Sequence, residues 1–149
     1  ATIPVGDNPW RAYRSPDGTQ MVVPNNGDET LSILEGSTNK VVATLEAGPD
    51  MVGVNFSNGK AFVISSSSSF VYVYDLKRLK PMGRIKIGDN LILETAATDA
   101  DGQRIYLACS SNNSIYEING KTHQVVRIPE VGLFPWGTHI HEGQDNYCH

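Results

Sequence analysis

Two sets of glycines keep one period along this chain. Gly6, Gly48, Gly88 and Gly132 lie 42, 40 and 44 residues apart, and Gly18, Gly59, Gly102 and Gly143 lie 41, 43 and 41 apart. Two independent markers with a spacing of about 40 residues define a repeat as long as a four-stranded propeller blade. The clearest copy is Ile3 to Thr44, IPVGDNPWRAYRSPDGTQMVVPNNGDETLSILEGSTNKVVAT. Looser copies occupy 45–84 and 85–127, and a partial one occupies 128–149, so 1–149 reads as one repeat domain of about three and a half blades.

Each copy divides into four short apolar runs separated by turn residues. In the first, Trp10 to Ser15, Gln20 to Val23, Thr30 to Leu34 and Val41 to Thr44 are the expected strands. Ser15-Pro16-Asp17-Gly18 joins the first two, because proline presets φ and glycine accepts a positive one. The later copies place first strands at Met51 to Phe56, Glu94 to Thr98 and Gly137 to His141. Ser65 to Ser69 is low in complexity, but it stands where Asn25 to Glu29 stands in the first copy and reads as an inter-strand loop. No window holds a sustained 3.6-residue apolar period, so the expected class is all-β, with blades of four antiparallel strands.

Composition narrows the partners. Twelve Lys and Arg against sixteen Asp and Glu give a net charge of −4, which disfavours nucleic acid and anionic membrane surfaces. No apolar run reaches the length of about 18 residues that membrane insertion of a helix requires.

The phrases IPVGDNPW, SPDG, VVPNNGDETLSIL and STNKVVATL resemble the YVTN-type β-propeller repeat. The likeness runs along nearly the whole chain and is closest over Ile3 to Thr44. It implies blades arranged around a central channel, often about seven to a ring, and a periplasmic or extracellular home. It implies no single activity: related propellers serve as surface proteins, as housings for haem d1 and as subunits of periplasmic quinone-bearing amine dehydrogenases. A partial ring leaves strand edges and apolar faces open. The chain is therefore expected to be a fragment of a longer propeller, to self-associate, or to be completed by another chain.

Most polar residues have turn-forming roles; Asp17, Asp28, Asp75 and Asp101 all sit at turns or strand ends. Arg11 and Arg14 fall on a first strand, which lines the channel in this architecture, and are candidates to hold an anionic cofactor or ligand. No nucleophile elbow, P-loop or H-E-x-x-H pattern is present.

The C-terminal end differs from the rest. Three of the four histidines and one of the two cysteines fall within Thr138 to His149, a concentration that points to a metal. On a strand, His139 and His141 share a face. With 142–145 as a hairpin loop, Cys148 comes opposite His139, and His149 points to the other face unless the terminus bends toward the ion. Two imidazoles and a thiolate suit Zn or Cu. Asn146-Tyr147-Cys148-His149 is also similar to the end of a C-x-x-C-H haem attachment sequence, although Asp145 holds the place of its first cysteine. A Cys109–Cys148 disulfide is a further option in an oxidising compartment. The chain thus reads as a binding or scaffolding propeller module or, alternatively, as a metal-dependent periplasmic redox or electron-transfer protein.

Overall fold

A computed structural model describes residues 2–145. Its strands form three antiparallel sheets, one from each full repeat. Blade 1 comprises β1 (Tyr13–Arg14), β2 (Gln20–Asn25), β3 (Thr30–Glu35) and β4 (Lys40–Glu46). Blade 2 comprises β5 (Met51–Ser57), β6 (Lys60–Ser65), β7 (Phe70–Asp75) and β8 (Lys80–Lys86). Blade 3 comprises β9 (Leu93–Thr98), β10 (Arg104–Cys109), β11 (Ser114–Asn119) and β12 (Val125–Ile128), with β13 (Gln144–Asp145) added beside β9. Among the described residues the only helical turn is a 3-10 turn at Ser110–Asn112, so the all-β expectation holds.

The repeat is written in the backbone as well as in the glycines. Glu29, Ser69 and Asn113 have φ of 54°, 59° and 55°, and Asn39, Leu79 and His123 have φ of 56°, 51° and 63°. These left-handed residues turn the chain between the second and third strands and between the third and fourth. The carbonyls of Glu29, Ser69 and Asn113 accept from the amides of Ala47, Ile87 and Val131 at 2.8, 3.0 and 3.2 Å. The same clasp therefore closes each blade where the chain leaves it.

The ladders fix which positions correspond. Gln20↔Glu35, Lys60↔Asp75 and Arg104↔Asn119 are the same pair in successive blades, as are Leu31↔Leu45, Val71↔Ile85 and Ile115↔Ile128. Alternation along each strand sends one set of side chains toward the preceding blade and the other toward the following one.

The core accordingly consists of two seams. Between blades 1 and 2, Val22, Leu31 and Ile33 meet Val54, Val63 and Tyr74. Between blades 2 and 3, Phe62, Val71 and Val73 meet Ile105, Leu107 and Ile118. All twelve are buried. Polar bonds stitch the same seams. Asn26 Nδ2 donates to the Met51 carbonyl (3.1 Å) and the Met51 amide donates back to Asn26 Oδ1 (2.9 Å); Asn55 Nδ2 donates to Thr98 Oγ1 (3.0 Å). Gly120 is packed so closely under Ser57 that a Cβ there would lie 1.8 Å from its Oγ.

Three expectations change. The first strand of blade 1 is ordered as a ladder only over Tyr13–Arg14; Pro9↔Asn25 is an isolated bridge one residue out of that register, and Pro24, opposite the break, has no N–H to donate. Ser66 to Ser69 is a loop, as read, but β6 continues to Ser65. Gly137 to His141 forms no strand, and Gln144 and Asp145, expected in a hairpin loop, instead pair with Thr98 and Ala97 of β9. The described part of the fourth repeat is thus a tail on blade 3.

Candidate functional site

The first-to-second-strand turns of all three blades collect at one end of the molecule. They surround a cleft of about 950 Å³. Ser15 to Asp17 lines it from blade 1, Ser57 to Gly59 from blade 2 and Asp99 to Gln103 from blade 3. Lys60, Lys77 and Glu35 add charge, and Glu142 and Gln144 of the tail complete the wall.

The turns are built to hold their shape. Asp17 Oδ1 accepts from Ser15 Oγ (2.7 Å), Thr19 Oγ1 (2.8 Å) and the Thr19 amide (3.0 Å). Those donors, the Ser15 hydroxyl foremost, hold the Asp17 carboxyl below the ordinary aspartate range. Asp99 Oδ1 accepts from the amides of Gln103 (2.7 Å) and Arg104 (3.0 Å) in the corresponding turn of blade 3. Ser57 Oγ donates to the Gly102 carbonyl (2.6 Å), so the turns of blades 2 and 3 are tied to one another.

A second constellation sits beside the cleft wall. Lys60 Nζ donates to the Gly120 carbonyl (3.1 Å) and lies 3.2 Å from His123 Nε2. An ammonium has only protons to offer, so His123 accepts through Nε2 and is neutral with its proton on Nδ1. Its ring meets Phe62 edge-on, with centroids 5.6 Å apart. Burial, and then the Lys60 charge, hold the His123 pKa below the ordinary histidine value. No residue pattern marked this pair, since Lys60 and His123 belong to different blades.

The residues singled out from sequence are placed as follows. The Arg11 guanidinium stands 5.5 Å from the Tyr13 ring centroid, in cation–π contact. Arg14 is exposed, packs against Gly18 and borders a smaller cleft with Gln144. The two arginines are thus given different neighbours. His139 and His141 are exposed, and His141 Nε2 is 3.9 Å from Glu142 Oε1. Because Gly137 to His141 forms no strand, the alternation that was to put both imidazoles on one face is missing. Cys148 and His149 lie outside the described residues. Among the described residues no three His, Cys, Asp or Glu side chains gather as a metal set. Cys109 is a free thiol buried in the seam between blades 2 and 3. The cleft residues, by contrast, are those whose turn-forming roles had explained them. The spacing of Gly18, Gly59 and Gly102 marked three of their turns as equivalent but did not mark them as a site.

Similarity to solved structures is confined to the fold. Kuenenia stuttgartiensis hydrazine synthase superposes with a TM-score of 0.75 at 22% identity, over 91% of this chain and 40% of that one. The Cps50 (Swd1) β-propeller domain of Myceliophteria thermophila gives 0.69 at 10% identity, over 87% and 45%. Dihydro-haem d1 dehydrogenase NirN, in complex with DHE, gives 0.60 at 21% identity, over 83% and 26%. The chain is therefore β-propeller in architecture and spans less than half the length of these structures. No protein-family model matches it, and no curated protein does.

Proposed function

We propose that this chain is a secreted or periplasmic β-propeller module of the YVTN repeat type that binds a partner through the cleft at the turn end of its blades. One observation carries the reading: turns from three blades, each internally hydrogen-bonded, frame a single concavity of about 950 Å³. Rigid elements presenting loops to a shared concavity are the usual form of a recognition site. Five carboxylates, Asp17, Glu35, Asp99, Asp101 and Glu142, face it against the ammonium groups of Lys60 and Lys77. Their field favours a cationic partner, such as a Lys- and Arg-rich peptide. Titrating the ¹⁵N-labelled chain with such a peptide is expected to shift the amides of Asp101, Gly102 and Lys77, with a Glu-rich peptide leaving them in place. Equal responses to both peptides, or shifts confined to the far ends of the blades, overturn the reading.

A second reading keeps the C-terminal metal centre of His139, His141, Cys148 and His149. It is favoured by the exposure of both described imidazoles and by His141 Nε2 lying 3.9 Å from Glu142, which itself lines the cleft. Its consequence is stoichiometric Zn or Cu in the purified chain, measured by elemental mass spectrometry. The metal should be lost on His139→Ala, and an equal metal content in that variant removes the reading.

A further inference from the structure

Both seams share a hydrogen bond from the first residue of a blade's second strand to a carbonyl in the next blade's third-to-fourth-strand turn. Gln20 Nε2 donates to the Leu76 carbonyl at 3.0 Å, and Lys60 Nζ donates to the Gly120 carbonyl at 3.1 Å. The ladders place Arg104 at the same position in blade 3. Its side chain is 54% exposed and is held 3.4 Å from Glu117 of its own blade. The matching carbonyl of blade 1 belongs to Gly36, one residue past the exposed Glu35.

Blade 3 also keeps apolar positions that the inner seams bury. Ile128 corresponds to Ile85, and Val131 to Ile87 through the shared clasp. Ile85 and Ile87 are each 8% exposed within the seam between blades 2 and 3, whereas Ile128 and Val131 are each 40% exposed. The tail covers the inner part of this face, where Thr138 Oγ1 donates to the Tyr106 carbonyl (2.6 Å). The outer part, with Arg104, Ile128 and Val131, is exposed.

We infer that this outer face of blade 3 is one half of a third seam, and that blade 1 of a second copy of this chain supplies the other half. Blade 1 carries the acceptor position that Arg104 does not meet among the described residues. It adds the Glu35 carboxylate beside that carbonyl, so the contact gains charge complementarity that the two inner seams do not have. Two different surfaces meet head to tail, and such contacts propagate until rotation closes them. The inference rests on Arg104, Ile128, Val131 and the Gly36 carbonyl rather than on the cleft, with which it shares Glu35.

Charge exchange tests it. Arg104 and Glu35 are both exposed, so neither substitution disturbs a core. Sedimentation of the wild-type chain is expected to show assembly that weakens as salt rises. Arg104→Glu alone and Glu35→Arg alone should each weaken assembly by about tenfold or more, because like charges then face one another. An equimolar mixture of the two variants restores an opposite-charge pair at both contacts and should regain assembly. Three outcomes each overturn the inference: a wild-type chain that stays monomeric, single variants that assemble like wild type, or a mixture no better than its parts. A chain completed only by a different protein falls under the first.

Discussion

Blades 2 and 3 share a ladder but face different surroundings on their far sides. In blade 2 the cross-strand pair Phe62↔Val73 is fully buried against blade 3. In blade 3 the same register holds Tyr106↔Glu117, both part-exposed, with Arg104 beside Glu117. The backbone is repeated while the side chains follow what stands opposite them. An apolar pair is favoured where a blade of the same chain covers it, whereas a phenol and a paired carboxylate suit a face that meets solvent or the charged edge of a second copy. A repeat therefore fixes where residues point, and the identity of each residue reports how its blade is covered.

The largest expected effect separates the two faces directly. Phe62→Ala removes a fully buried ring from the seam and should cost about 3–5 kcal/mol. Tyr106→Ala at the matching position should cost about 1 kcal/mol, since its ring is part-exposed. Urea unfolding followed by circular dichroism measures both; equal costs would erase the distinction between a covered and an open face.

A smaller effect distinguishes the two seams from each other. At the third-to-fourth-strand turn the seam between blades 2 and 3 carries His123, where blade 2 carries Leu79. Since the His123 pKa is lowered in the folded chain, the unfolded chain binds the extra proton first. Stability from this site is therefore complete above the ordinary histidine value of 6.5 and declines as pH falls from there toward the folded value. Protonation would also set an imidazolium against the Lys60 ammonium. Hydrogen exchange should show Ile105 to Ile118 loosening as pH falls below the ordinary histidine value of 6.5, while Val22 to Ile33 at the other seam holds. His123→Gln should flatten that difference, and an unchanged pH profile in the variant would remove His123 as its source.

Much of the fold was legible from local chemistry. Turns at Asp17-Gly18, Asn58-Gly59 and Asp101-Gly102 follow from residues that accept positive φ, and the strands between them follow from apolar runs of blade-strand length. Those signals are local, so a sequence carries them whole. The cleft was half legible: its turn residues were identified as turns, but nothing along the chain showed that three such turns meet around one space.

What the sequence determined by itself is the period, the class and the boundaries of most strands, because φ preferences and alternation act within a few residues. Tertiary structure alone decided three things: the convergence of the turns, the bond between Lys60 and His123 across 63 positions, and the fate of the fourth repeat. The last shows why. Ladder hydrogen bonds join backbone groups and are nearly blind to side-chain identity. A segment as short as Gln144–Asp145 therefore pairs with whichever open edge lies nearest, and that edge belongs to β9.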